Sequence, residues 1–196
     1  MPLIIQEFCQ DDIPQITALW NAIVADGVAF PQDTPLTENQ AAAFFGEQSF
    51  TGVGKNPQGQ VVGLYILHPN NVGRCAHIAN ASYAVANGYR GQKIGEKLVQ
   101  HSLQKARELG FKIMQFNAVV ASNETALRLY QKLGFTQLGV IKNGFRLNNG
   151  AFVDISPHYI ELQYNKRFRL PETVFLIIFI LYHIDFIKNR RNMIGV

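Results

Sequence analysis

Apolar positions along the chain repeat with two periods, and the switches between them mark the elements. Residues 3–8 alternate well enough for a first strand, whereas in 13–25 the side chains Ile16, Leu19, Trp20 and Ile23 recur at helical spacing and form the expected core face. Asp11 and Asp12 supply an N-cap and negative charge where a helix start favours both. Pro14 falls in the first turn, where its missing N–H is not needed. A loop containing Pro and Asp over 26–35 leads to a second helix over 37–46, with Thr37 and Gln40 spaced as a capping box.

Strands at 50–53 and 61–67, joined by the turn Asn56-Pro57-Gln58-Gly59, predict a hairpin. After a loop over 69–73, the run 77–85 reads as another strand, and Gly88 to Gly91 breaks it ahead of a helix ending near Leu109. Ile113, Gln115 and Asn117 then alternate with Met114, Phe116 and Ala118 in a strand, and Ser122 or Asn123 caps the helix that carries Tyr130. Two closing strands are expected over 135–141 and 152–162, with turns at Lys142-Asn143-Gly144 and Asn148-Asn149-Gly150. The order is strand, two helices, three strands, helix, strand, helix, two strands, which predicts a mixed α/β sheet.

Two segments in this frame carry chemistry. Arg90-Gly91-Gln92-Lys93-Ile94-Gly95 lies between a strand and a helix, and a loop that opens a helix with free backbone N–H groups and few bulky side chains is a seat for a pyrophosphate. Some thirty residues on comes Asn123-Glu124-Thr125-Ala126-Leu127-Arg128-Leu129-Tyr130-Gln131-Lys132-Leu133-Gly134-Phe135. Together they resemble the GCN5-related N-acetyltransferases, whose signatures read Arg/Gln-x-x-Gly-x-Gly/Ala and Asn-x-x-Ala-x-x-Leu-Tyr-x-Lys-x-Gly-Phe. The second signature is matched throughout, and the first departs at Lys93, which stands where the family usually has glycine. The resemblance covers roughly residues 3–162 and nothing beyond Arg169.

It implies a GNAT-type, mostly antiparallel mixed sheet flanked by helices, and acetyl-CoA as co-substrate. Arg90, Gly91, Gln92, Lys93, Ile94, Gly95 and Glu96 would then hold the diphosphate, with the Lys93 ammonium beside it, and the Val85 backbone would meet the acetyl and pantetheine region. Asn123 and Ala126 match cofactor-contacting positions, although Asn123 serves equally well as an N-cap. Tyr130 matches the tyrosine that protonates the departing thiolate, while a tyrosine on an apolar helix face also packs into cores.

Acyl transfer to an amine requires a neutral amine, and many family members use a carboxylate on the cradle strand as base. The corresponding stretch here, His77-Ile78-Ala79-Asn80-Ala81-Ser82-Tyr83, has none, so the base is missing or lies elsewhere: His77, Glu7, Asp26 and Asp33 are the candidates. Asn80 and Asn117 are amides in apolar strands that must find partners, either across strands or at an acceptor. Their pattern resembles that of members acting on small amino acids or cyclic imino acids. The expected activity is acetyl transfer from acetyl-CoA to a primary or secondary amine of a small molecule such as an amino acid. The alternative is a non-catalytic acyl-CoA-binding sensor.

Composition narrows the partners. The 196 residues allow one catalytic domain, 1–165, and a tail, 166–196, and 47% hydrophobic against 16% charged residues indicates a substantial core. The net charge of +4 is confined to the tail, because residues 1–164 hold 12 basic and 12 acidic side chains; nucleic-acid binding is therefore not expected. Cys9 and Cys75 lack metal or disulfide spacing, so no metal is expected, and with no basic-then-apolar start the expected location is cytoplasmic. The apolar stretch 174–187 between basic flanks would reach about 21 Å as a helix, short of the roughly 30 Å needed to span a bilayer. Docking against the domain or another subunit, as in a homodimer, fits it, as does the less favoured peripheral membrane contact, or an unnatural extension of the reading frame.

Overall fold

The face defined by Ile16, Trp20 and Ile23 is buried against one side of a single sheet in the computed structural model, which describes residues 2–162. The chain runs β1 (Ile4–Glu7), α1 (Ile13–Asp26), α2 (Glu38–Gly46), β2 (Phe50–Lys55), β3 (Val61–Pro69), β4 (Ile78–Val85), α3 (Ile94–Glu108), β5 (Ile113–Val120), α4 (Glu124–Lys132), β6 (Thr136–Gln137), β7 (Ile141–Arg146) and β8 (Phe152–Glu161). The sheet order is β1-β2-β3-β4-β5-β8-β6, with β7 also on β8, and every pairing except β4–β5 is antiparallel. The expected tail lies outside the described residues. Among those described, no helix is long and apolar enough to cross a membrane.

β3 explains why its sequence is almost uninterrupted in apolar residues. Leu64 and Ile66 pack on the α1/α2 side, and Tyr65 and Leu67 on the α3 side, so both faces of the strand are covered. On the first side Trp20 meets Phe30 at 4.4 Å, Phe44 at 5.0 Å and Phe45 at 5.8 Å between ring centroids. Such pairs contribute about 0.5–1.5 kcal/mol each beyond their burial. They also tie the α1–α2 loop to the core through Phe30. Asn21 clamps the far end of that loop, accepting the Leu36 N–H and donating to the Leu36 carbonyl, both at 2.8 Å.

The capping box forms as spaced: the Gln40 N–H donates to Thr37 Oγ1 at 3.3 Å and the Thr37 N–H to Gln40 Oε1 at 2.9 Å. Asp12 occupies the N-cap of α1 but does other work. Its carboxylate accepts the Cys9 N–H at 3.1 Å and pairs with Lys55 at 2.6 Å, joining the helix start to β2. Burial alone would raise this carboxyl, but the hydrogen bonds from Lys55 and Cys9 outweigh burial and hold it below its ordinary value.

The last part of the chain differs from expectation. The single strand expected over 135–141 is two pieces, β6 and β7, and the Lys142-Asn143-Gly144 turn is instead an irregularity inside β7. Asp154 on β8 causes it. Its carboxylate accepts the Asn143 N–H at 3.0 Å and pairs with Lys142 at 2.7 Å, so a turn-like sequence is held against the neighbouring strand. Asn143 takes φ 55°, and Gly144 is needed because a Cβ there would lie 2.5 Å from Ile155 Cγ1.

Candidate active site

β4 and β5 are the one parallel pair, and they stay paired only at Ile78↔Ile113 and Ala79↔Met114. A cause lies on the opposite edge of β5. Asn117 and Ala118 face the single residue Pro157 of β8, a bulge opposite a residue that has no N–H for the ladder, and such a bulge bends its strand. Beyond Ala79 the two strands part, which leaves backbone groups on the facing edges without ladder partners. Between them opens a cavity of about 320 Å³ lined by both strands, by the starts of α3 and α4, and by Ala29, Phe30 and Pro31 of the α1–α2 loop. Among the described residues, no charged side chain lines it.

Two tyrosines face this cavity, and their hydroxyl protons differ in availability. Ser102 Oγ donates its proton to the Val99 carbonyl at 2.8 Å, so in the 2.7 Å contact between Tyr83 and Ser102 the phenol must be the donor. The Tyr83 proton is committed. The Tyr130 hydroxyl has no hydrogen-bond partner among the described residues, while its ring is fixed by Phe116 at 4.6 Å and Phe135 at 5.4 Å. Burial pushes both phenols above their ordinary range, which keeps Tyr130 neutral and its proton in place at neutral pH. Tyr130 is therefore compatible with both roles open to it in the sequence: its side chain packs against the core and also lines the cavity.

The residues expected around the diphosphate occupy the α3 start. The helix begins at Ile94, after a break that extends to Lys93, and no side chain caps it. The Lys97 N–H bonds the Lys93 carbonyl at 3.1 Å, so the N–H groups of Ile94, Gly95 and Glu96 are the ones an intrahelical ladder leaves over. Gly91 at φ 80° has open space around it, as a loop approached closely by a ligand requires. These groups suit a diphosphate. Gly95 lines the cavity, and Val85 packs next to it: a Cβ on Gly95 would meet Val85 Cγ2 at 3.8 Å. Ile94 is turned into the core, Gln92 is exposed, the Arg90 side chain lies 3.4 Å from Asp26, and Glu96 pairs with Lys132 of α4 at 2.7 Å.

Lys93 adopts φ 61°, ψ 18°, the left-handed conformation that glycine takes without penalty. The position thus makes a backbone demand that glycine would meet freely, and lysine meets it with strain. Lys93→Gly is expected to stabilise the chain by about 0.5–1 kcal/mol, the relief of strain less the greater freedom of glycine in the unfolded chain. A urea midpoint that falls instead of rising would contradict this.

Asn123 caps α4, its Oδ1 accepting the Ala126 N–H at 3.2 Å, and both residues also line the cavity. Asn80 and Asn117 line it from the two parted strands, and a residue that the sequence did not single out, Asn70, hydrogen-bonds both of their side chains. Asn70 sits in a stretch that reads only as a turn, so no spacing signalled it. His77 is exposed ahead of β4, Glu7 is exposed on β1, Asp26 lies beside Arg90, and Asp33 accepts from Thr34 Oγ1 at 3.1 Å. None of the four candidate bases reaches the cavity wall. Nor do the described residues include a cluster of three or more His, Cys, Asp or Glu able to hold a metal.

Comparison with known proteins assigns this fold and its two signatures to a family. A model of the acetyltransferase (GNAT) family matches residues 16–135. The chain belongs to the GNAT family. N-acetyltransferase aca1 of Schizosaccharomyces pombe is 31% identical over 156 residues, covering 71% of this chain and 75% of its own length. A GCN5-related N-acetyltransferase from Kribbella flavida superposes with a TM-score of 0.76 at 32% identity, over 81% of this chain and 97% of that one. A phosphinothricin acetyltransferase from Sinorhizobium meliloti, solved with acetyl-CoA, shares the fold at 21% identity and a TM-score of 0.77, over 88% and 98% of the two chains. As a GNAT protein the chain is an acyltransferase that draws its acetyl group from acetyl-CoA.

Proposed function

We propose that this GNAT enzyme acetylates the primary or secondary amine of a small molecule such as an amino acid. The cavity carries the reading. Its volume of about 320 Å³ suits a small acceptor beside an acetyl group, and its polar lining is carboxamide and hydroxyl. The described wall, which has no carboxylate, offers no charge partner to a polycationic acceptor, whereas Asn80 and Asn117 can hydrogen-bond a small polar molecule of either charge. The Sinorhizobium meliloti protein that shares the fold is named for phosphinothricin acetylation, which is consistent with this class.

In this reading the amine attacks the thioester carbonyl within the parted strands, and backbone groups of β4 polarise the carbonyl oxygen. Tyr130 gives its proton to the leaving thiolate and is reprotonated by the proton that the nitrogen loses as the amide forms, so no proton is gained or lost overall. The test is thiol release from acetyl-CoA across amino acids, cyclic imino acids, polyamines and peptides. Turnover concentrated on the first two classes is expected. Turnover confined to polyamines or peptides would overturn the acceptor class, and tight acetyl-CoA binding without turnover on any amine would return the sensor reading.

A further inference from the structure

Four carboxamides from three segments meet at the opening between β4 and β5. Asn70, between β3 and β4, places its Oδ1 so that it accepts from Asn117 Nδ2 at 2.6 Å and from Asn80 Nδ2 at 3.1 Å. Its own Nδ2 donates to Asn117 Oδ1 at 3.2 Å, and Gln115 Nε2 donates to the same oxygen at 3.0 Å. The network is unequal. Asn117 has two amide neighbours, so removing Asn70 leaves it Gln115. Asn80 has its side-chain bond to Asn70 and no other among the described residues.

The sense of these bonds decides what the cavity is offered. One of the two Asn80 N–H groups is spent on Asn70, and the Asn80 Oδ1 is the acceptor left without a side-chain partner among the described residues, on a side chain that lines the cavity. A carbonyl oxygen accepts, and an attacking amine has an N–H to donate while its lone pair faces the thioester. A free carboxamide can rotate by half a turn and present its NH₂ instead, which would meet that amine donor to donor. Asn70 prevents the rotation.

We propose that Asn70 is a positioning residue for the acceptor: it locks the Asn80 carboxamide with its oxygen toward the cavity, where that oxygen takes an N–H of the attacking amine. The proposal rests on the small-amine reading of the cavity. Asn70 itself holds its loop by a backbone bond, its N–H to the Ile78 carbonyl at 2.7 Å, which any residue but proline retains. It is only partly buried, so a side-chain truncation leaves the fold in place.

The test is steady-state kinetics of the full chain with the best amino-acid or imino-acid acceptor, for wild type, Asn70→Ala, Asn80→Ala and the double variant. Asn70→Ala is expected to lower kcat/KM for the acceptor about 10- to 30-fold, with KM for acetyl-CoA and the melting temperature unchanged. In the Asn80→Ala background the same change is expected to cost less than about twofold, because the residue it positions is gone. Equal costs in both backgrounds would overturn the proposal, as would full acceptor kcat/KM in Asn70→Ala. A parallel rise in KM for acetyl-CoA with a lowered melting temperature would assign Asn70 a structural role instead. If wild type turns over none of the small amines, the acceptor reading fails and takes the proposal with it; turnover by wild type with an unaffected Asn70→Ala defeats the proposal alone.

Discussion

Tyr130→Phe is expected to lower kcat for acetyl transfer by about 10²–10³-fold, with acetyl-CoA affinity changed less than about twofold. The substitution removes one hydroxyl and keeps the ring, so the contacts with Phe116 and Phe135 survive and the fold is not disturbed. The hydroxyl it removes is the one at the cavity whose proton is uncommitted, since Tyr83 already donates to Ser102. Burial that raises the phenol also raises a thiolate leaving in the same surroundings, so the transfer between them is not made uphill by desolvation. Rapid-quench measurement of the chemical step separates it from product release. A Tyr130→Phe enzyme within about threefold of wild type in that step would remove Tyr130 from the chemistry.

The pH profile carries the second large effect. Among the described residues no carboxylate or histidine lines the cavity, so the acceptor is expected to shed its proton before it binds productively. Below the amine's own pKa, kcat/KM is therefore expected to rise about tenfold per pH unit, about 100-fold from pH 6 to pH 8. On the alkaline side the sign follows from Tyr130. Its pKa is raised, so the acid form persists beyond the pH at which an ordinary phenol, near 10, would ionise, and no fall in rate from this group is expected up to that point. Acceptors of different basicity should displace the rising limb by the difference in their pKa values. A limb that levels off between pH 6 and 7 for every acceptor would reveal an enzyme base that the cavity wall does not show.

Much of the fold is legible where one local rule acts alone. The α1 face, the Thr37–Gln40 box and the apolar β3 follow from periodicity and capping, and all three form as the residues dictate. The two signatures likewise bring Gly95, Asn123, Ala126 and Tyr130 to one cavity with Asn80 and Asn117. What was not legible depends on residues distant in sequence. Lys142-Asn143-Gly144 reads as a turn until Asp154 is known to lie across from it, and Asn70 reads as loop until Asn80 and Asn117 are known to converge on it. Lys93 is instructive in a different way, because the sequence shows a lysine where the signature has glycine and the structure places it in the left-handed conformation that glycine takes without penalty.

In the proposed reaction the opening between β4 and β5 receives the acetyl thioester, with the diphosphate at the α3 start and the Tyr130 hydroxyl at the sulfur. A crystal structure of the full chain with acetyl-CoA tests it most directly. The account predicts diphosphate oxygens on the backbone N–H groups between Gly91 and Glu96 and the sulfur within about 3.5 Å of Tyr130 Oη. A thioester lying outside the parted strands, or a sulfur beyond reach of that hydroxyl, would contradict it.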